Sequence, residues 1–188
     1  MAPPLLPKLG ESEGEVPTGL VRVLGGNLPA DSWDGAQSVF AFYIGKYEVQ
    51  WGEWQSVRRL GLAQGYAIGA GAGRGEEFPV TDINWYDALK WCNARSEQEG
   101  LDPVYTVSGA VYKTGEVVPT ASLRAKGCRL PREKEWCFDV YSGTVRSFRG
   151  GSAAHYESSC RLALRKGYFS PGYESASLGF RVLRNFAP

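Results

Sequence analysis

The sequence predicts an α+β fold in which two helices pack on a twisted, mostly antiparallel sheet. Residues 21–24 and 38–49 alternate in polarity and hold β-branched and aromatic residues, which is typical of strands. Two helical segments, a hairpin and a late strand follow, and this order of elements favours the α+β class. With 188 residues, 43% of them hydrophobic, the chain can bury one substantial core, so a single domain over residues 17–188 is expected.

The first helix is predicted directly after the early strands. Residues 51–60 place Trp51, Trp54 and Val57 at helical spacing, so these side chains share one face. Gly61 follows and is the predicted stop of this helix.

The second helix is predicted from a capping signal and an apolar period. Asn84 or Asp82 can cap a helix that runs through residues 86–93. Residues 105–112 then read as a β-hairpin that turns at residues 108–109, a Ser-Gly pair.

A glycine-rich segment separates the two helices. Residues 65–75 contain five glycines in eleven residues. A phosphate-binding loop needs Gly-Lys-Ser/Thr at the start of a helix, and this segment lacks that pattern. We therefore predict a flexible loop here.

Two short motifs frame a polar, aromatic segment near the end of the chain. Residues 148–152 read Phe-Arg-Gly-Gly-Ser, and residues 178–182 read Leu-Gly-Phe-Arg-Val, which places Phe180 and Val182 on one face of a short strand. Residues 153–177 between them are rich in Tyr, Ser and Gly and show no regular apolar period. A loop of this kind, held by a rigid frame, is where recognition or chemistry usually occurs.

These motifs and five earlier segments resemble the formylglycine-generating enzyme family, the sulfatase-modifying-factor type. The segments occur in the family's order, from about Val21 to Arg184. The resemblance implies a loop-rich, C-type-lectin-like α+β fold. The six matching segments are Phe-Tyr-Ile-Gly-Lys-Tyr-Glu-Val at 42–49, Trp-Gly-Glu-Trp at 51–54, Pro-Val followed by Trp-Tyr-Asp-Ala within 78–88, Trp-Cys-Asn-Ala-Arg at 91–95, Arg-Leu-Pro-Arg-Glu-Lys-Glu-Trp at 129–136, and the framing pair.

The chain departs from the family pattern in one place. Family members usually carry several dozen residues between a Glu-x-Glu-Trp box and a Glu-Trp-Cys-x-Asp box, and here residues 135–139 look like both boxes fused. The Gly-Asn-Val run that supplies calcium ligands in the family is absent. The chain therefore looks like a shortened member, and we expect no tightly bound calcium.

Catalytic family members bind Cu(I) through two cysteines five positions apart, shortly after the Gly-Gly-Ser motif. Here those two positions hold His155 and Cys160, so the family's thiolate pair is incomplete. His155 is the only histidine, and one histidine cannot complete a 2-His-1-carboxylate iron site. We therefore predict no metal or other cofactor, and His155 and Cys160 remain weak catalytic candidates for the alternative function, oxidation of a sulfatase cysteine to formylglycine.

The composition of residues 153–177 suits binding better than catalysis. Tyrosines alternate with serines, a mixture that forms adaptable binding surfaces, although aromatic residues of this kind also fill cores. We predict a protein or other macromolecular ligand on this surface. The predicted contact residues are His155, Tyr156, Glu157, Tyr168, Phe169, Tyr173 and Glu174.

The same ending also resembles the variable proteins of diversity-generating retroelements, which randomise solvent-facing residues between the two framing motifs. Ala153 and the scattered Tyr, Ser, Ala and Gly after it fit that resemblance. Glu157, Lys166 and Glu174 are not among the residues that randomised asparagine codons with a final pyrimidine produce. A template repeat in neighbouring DNA would decide whether a retroelement diversifies this segment.

Charge and apolar content exclude several other classes. A formal net charge of +1 provides no field for nucleic acid or an anionic membrane, and no apolar run reaches the length of a membrane span. Residues 1–16 lack a basic start followed by an apolar core, so we expect a disordered leader instead of a secretion signal. Two locations stay open: the cytoplasm, or a phage or cell surface on which another component displays the domain.

The four cysteines do not form a metal-binding or redox motif. Cys92, Cys128, Cys137 and Cys160 contain no Cys-x-x-Cys pair. We expect free thiols, with Cys92 and Cys128 at packing positions.

Overall fold

The computed structural model describes residues 15–27, 38–131, 140–142, 145–149, 165–176 and 178–185, and for 140–142, 145–149 and 165–169 it describes the backbone alone. Over these residues the chain forms two helices and twelve strands. The helices are α1 (Trp51–Ala63) and α2 (Trp85–Gln98). The strands are β1 (Leu20–Val23), β2 (Gly26–Asn27), β3 (Ser38–Val39), β4 (Phe42–Gly45), β5 (Tyr105–Val107), β6 (Ala110–Val111), β7 (Thr120–Ala121), β8 (Cys128–Arg129), β9 (Val140–Ser142), β10 (Val145–Arg149), β11 (Arg165–Phe169) and β12 (Leu183–Asn185).

The strands pair antiparallel, as the sequence predicts. The main sheet has the order β1-β4-β12-β8, so the first and last described strands flank β4. In its register Leu20 lies opposite Gly45, and Leu183 lies between Ile44 and Arg129. Three smaller sheets have the orders β11-β10-β9, β2-β3 and β6-β5-β7.

The predicted hairpin is confirmed. Strands β5 and β6 are joined by Ser108 and Gly109, whose φ angles are +50° and +80°. Positive φ at both central residues is what the favoured two-residue hairpin turn requires. The buried Asn93 of α2 then fixes the hairpin, since its side chain donates to the Tyr105 and Tyr112 carbonyls and accepts from the Tyr105 amide.

The predicted end of the first helix is wrong. Helix α1 passes through Gly61 and ends at Ala63, and Gly65, at φ +86°, follows the helix. Gly61 is instead a packing residue, because a Cβ there would lie 3.1 Å from the Ala94 Cβ of α2. The two helices approach closely at this position, and a glycine permits that approach.

The capping prediction for α2 is confirmed with Asn84 as the cap. The Asn84 Oδ1 atom accepts a hydrogen bond from the Asp87 amide at 2.9 Å. Ten of the 14 residues of α2 are buried, because α1, β5 and β8 pack around it. The helix is thus the central element of the core.

Three aromatic rings form the centre of the core between the helices. Trp54 and Trp91 stack with centroids 5.7 Å apart, and Phe180 meets both rings edge-on at 6.0 and 5.6 Å. The Trp91 Nε1 donates to the Trp54 carbonyl at 3.2 Å. Phe180 and Val182 are both buried, so the second framing motif is anchored in the core.

The glycine-rich segment 65–75 is packed against the helices, where the sequence predicted a flexible loop. The Trp54 Nε1 donates to the Ala70 carbonyl at 3.0 Å, and Ala72 exchanges two backbone hydrogen bonds with Thr81. A Cβ at Gly73 would collide with the Trp51 ring. The glycines therefore allow the backbone to lie directly on α1.

No helix among the described residues is long and apolar enough to span a bilayer.

Candidate ligand-binding surface

The predicted contact residues divide into three groups. His155, Tyr156, Glu157 and the weak catalytic candidate Cys160 lie outside the described residues. Tyr168 and Phe169 belong to β11, whose backbone alone is described. Tyr173 and Glu174 are fully described, and both are exposed.

The predicted loop contains a strand that its composition did not reveal. Strand β11 pairs antiparallel with β10, which carries the start of the first framing motif. Tyr168 lies opposite Ser147 and Phe169 opposite Arg146, and the register shifts between Ser147 and Phe148. A register shift of this kind bends a strand locally.

After β11 the chain crosses the N-terminus of α2 and is fixed there by the backbone. The Trp85 amide donates to the Pro171 carbonyl at 3.0 Å, and the Asp82 amide donates to the Ser175 carbonyl at 3.1 Å. Within the loop, the Tyr173 amide donates to the Ser170 carbonyl at 2.9 Å. We call residues 170–176 the tethered loop.

One side-chain hydrogen bond joins the same two segments. The Asn84 Nδ2 donates to the Glu174 Oε1 at 3.2 Å, while the Asn84 Oδ1 caps α2. A carboxylate at a helix N-terminus is favoured by the partial positive charge of that end. In the first turn of α2, Asp87 is neutralised by Lys90, whose Nζ lies 2.9 Å from its Oδ1 in a buried pair.

Tyr173 combines a large side chain with a fixed backbone. It is 41% exposed, and the tethered loop holds it on both sides. Because the backbone is already ordered, a ligand that contacts the ring does not have to order the loop first. The tethered loop is therefore suited to recognition.

Sequence reasoning did not identify the residues that hold this loop. Asn84 was predicted as a helix cap, but its second hydrogen bond goes to a residue 90 positions later. Asp82, the other cap candidate, has φ +52° and presents its amide to Ser175. No pattern of consecutive residues contains such a contact, because the partners are brought together by the packing of α2 against the late segment of the chain.

A cleft of about 580 Å³ lies elsewhere, between β1 and the facing ends of α1 and α2. It is crossed by a chain of charges in which Arg95 pairs with Glu53 and Glu99, and Arg184 pairs with Glu99. Burial and the neighbouring Arg95 lower the pKa of Arg184 to about 10. The Glu53–Arg95 pair joins α1 to α2, and the Arg184–Glu99 pair joins β12 to the C-terminal end of α2.

Cys92 and Cys128 are buried free thiols, as the sequence predicts. Ser96 joins their backbones, donating from Oγ to the Cys92 carbonyl at 2.7 Å and accepting from the Cys128 amide at 2.8 Å. Burial raises the pKa of Cys92 and raises that of Cys128 to about 11. Thiols of this kind are poor nucleophiles and poor metal ligands.

A pH dependence of stability follows from these thiols. Well below pH 9 both thiols are protonated in the folded and the unfolded chain, so they contribute no slope. As pH rises from about 9 to 11, the unfolded chain loses these protons first, and the free energy of unfolding should fall. The effect can be measured by urea unfolding across this pH range in the variant Cys137→Ser/Cys160→Ser, in which Cys92 and Cys128 are the remaining cysteines.

Replacing Cys128 by alanine in the same background supplies the control. The alkaline decrease should become shallower, because one of the two raised thiol pKa values is removed while the raised pKa values of Tyr66 and Tyr112 still contribute. An unchanged slope would show that other groups cause the decrease.

Among the described residues, no group of three His, Cys, Asp or Glu side chains is arranged to hold a metal ion.

The fold and the motifs agree with a sequence-family match. The profile described as "Sulfatase-modifying factor enzyme 1-like domain" matches residues 7–144, well over half of the chain. The chain belongs to this family. The predicted family and the C-type-lectin-like α+β fold are thereby confirmed.

One curated relative is the chaperone protein LppX of Paenibacillus barcinonensis. It is 34% identical over 110 residues, which cover 54% of this chain and 36% of the relative. The chain thus spans about a third of the length of that protein.

Solved structures share the fold at low identity. CarF superposes with a TM-score of 0.77 at 21% identity, covering 91% of this chain and 99% of CarF. Variable protein 1 of Treponema denticola has a TM-score of 0.65 at 21% identity, covering 88% and 94%. PvdO of Pseudomonas aeruginosa has a TM-score of 0.56 at 13% identity, covering 89% and 94%.

Proposed function

We propose that this chain is a non-catalytic ligand- or protein-binding module built on the sulfatase-modifying-factor scaffold. Its binding surface lies between the Arg-Gly-Gly-Ser of the first framing motif, at 149–152, and the Gly-Phe-Arg of the second, at 179–181. Its partner is a protein or another macromolecule. The observation that carries this proposal is the exposed Tyr173 on a loop tethered to the N-terminus of α2.

The energetics of recognition support this assignment. A tyrosine offers a large apolar face and a polar tip at low entropy cost. Backbone hydrogen bonds from the Asp82 and Trp85 amides hold the loop, and the Glu174 side chain accepts a further hydrogen bond from Asn84. The two backbone bonds do not depend on the residue type at position 173, so this side chain can differ while they remain, which is what a variable display surface requires. The shared fold with a protein titled a variable protein is consistent with this use of the scaffold.

Replacing Tyr173 by alanine should weaken partner binding and leave the fold intact. The ring is 41% exposed, so its removal leaves no large cavity, whereas an aromatic contact at the centre of an interface is typically worth about 2 kcal/mol or more. Immobilised wild-type and Y173A chains should capture proteins from the source cells differently, as measured by quantitative mass spectrometry. The melting temperature should change little.

Tyr47 provides the matched control, since it is an exposed tyrosine outside the tethered loop. Proteins that bind the display surface should be depleted on Y173A and retained on Tyr47→Ala. Equal capture by all three chains would contradict the proposal. Unfolding of Y173A would instead mark Tyr173 as a residue of the core.

The origin of the surface has a separate test in the DNA. If the segment is diversified by a retroelement, a near-identical copy of the sequence encoding residues 149–181 should lie nearby, differing mainly at adenines. Absence of such a copy from the complete flanking sequence would exclude diversification by a retroelement as the origin of the surface.

The alternative function is a formylglycine-generating oxidase, which the family description favours. In the family that reaction uses two thiolates shortly after the Gly-Gly-Ser motif, and in this chain Cys160 would act with His155. Cu(I) titration of wild-type chain and a Cys160→Ser variant tests it. Tight one-equivalent binding that the substitution abolishes would support the oxidase.

A further inference from the structure

Asn84 uses both ends of its side-chain amide, and each end acts on a different element. The Oδ1 accepts from the Asp87 amide at 2.9 Å and begins α2. The Nδ2 donates to the Glu174 Oε1 at 3.2 Å and reaches the tethered loop. The residue is 9% exposed, so its amide is held by these partners with little access for water.

The two backbone bonds of the loop flank this side-chain bond. Trp85 holds Pro171 and Asp82 holds Ser175, while Asn84 holds Glu174 between those points. The three donors are consecutive or nearly so at the start of α2. A buried helix therefore fixes the backbone on both sides of Tyr173.

We propose that Asn84 is a positioning residue of the display surface, which it couples to the core through its bond to Glu174. The role in display rests on the proposed function above, whereas the coupling of Asn84 to Glu174 is a property of the chain without ligand. The amide side chain is needed because one residue must accept from the helix and donate to a carboxylate. Aspartate can cap the helix equally well but cannot donate.

Electrostatics increases the difference between asparagine and aspartate at this position. A carboxylate at position 84 would face Glu174 and would lie beside Asp82 and Asp87. Asp87 is paired with Lys90, but Glu174 would lose its donor and meet a like charge. The substitution Asn84→Asp therefore releases the loop while keeping the cap.

Amide hydrogen exchange of the ligand-free chain tests the proposal. In N84D the amides of Asp82, Trp85 and Tyr173 should exchange about tenfold faster, because a hydrogen bond to a charged group is lost. Glu174→Ala should produce the same loop effect without touching the cap. Glu174→Gln should have a smaller effect than Glu174→Ala, since its side-chain oxygen still accepts from Asn84 but carries no charge.

The double variant N84D/E174Q separates positioning from a general loss of stability. It exchanges donor and acceptor, so the bond can form again, and the exchange rates should return toward wild type. Urea midpoints of all four variants should stay close to that of wild type, since Asn and Asp are equivalent caps.

Two results would overturn the proposal. One is unchanged exchange of these amides in both N84D and E174A. The other is a failure of N84D/E174Q to restore the rates, which would show that the hydrogen bond between residues 84 and 174 does not cause the effect. If the exchange results are as expected but Tyr173→Ala captures the same proteins as wild type, the coupling stands and the display function fails.

Discussion

Replacing Trp91 by alanine is expected to lower the free energy of unfolding by about 3–5 kcal/mol. Trp91 is fully buried, stacks on Trp54 at 5.7 Å and meets Phe180 at 5.6 Å, so its removal leaves a cavity beside two large rings. It also removes the Nε1 donor from the Trp54 carbonyl. Urea unfolding followed by far-ultraviolet circular dichroism measures the change without relying on tryptophan fluorescence.

Leu60→Ala is the control for this substitution. Leu60 lies on α1 but is exposed, so its truncation should change the free energy of unfolding by less than about 0.5 kcal/mol. If W91A lost less than about 1 kcal/mol with an unchanged denaturant slope, the three-ring cluster would not be the centre of the core. Because Phe180 belongs to this cluster, W91A should also loosen the second framing motif.

Replacing Gly127 by alanine is expected to destabilise the chain by about 1–3 kcal/mol, through overpacking of a tightly filled site. A Cβ there would collide with the Asp102 carbonyl oxygen and lie 2.5 Å from the Ser96 Oγ. That hydroxyl bridges the Cys92 carbonyl and the Cys128 amide, so its displacement would break two buried hydrogen bonds, one within α2 and one between α2 and β8. Thermal unfolding by calorimetry provides the measurement.

Gly26 and Gly172 are matched controls, since a Cβ at either position would meet no atom within 4 Å and neither has a positive φ. Alanine at either position should therefore change the melting temperature little. Equal effects of all three substitutions would indicate a general cost of replacing glycine. A G127A chain as stable as wild type would show that the site between α2 and β8 can relax to accept a Cβ without a cost in free energy.

The local features of this fold could be predicted because their causes are local. Asn84 begins α2 through a bond to a residue three positions later, and the Ser108-Gly109 pair turns the hairpin through its own φ angles. The consecutive aromatic and β-branched residues at 42–44 are likewise contained within the strand that they predict.

Features that depend on packing between distant segments were not predictable. Gly61 carries the usual signal for a helix end, yet the close approach of Ala94 keeps it inside α1. The glycines of residues 65–75 suggest flexibility, but Trp51 and Trp54 hold that backbone in place. In each case a neighbour from elsewhere in the chain decides what the glycine does.

The sequence by itself determined the family, the α+β class and the segment in which a binding surface is to be sought. Its motifs and apolar periods are properties of consecutive residues, and such patterns survive without knowledge of the fold. The tertiary structure alone decided how Tyr173 and Glu174 are held, because Asn84 and Glu174 are 90 residues apart. A contact at that separation depends on how the helix and the late segment, anchored by the buried Phe180, pack in the folded chain.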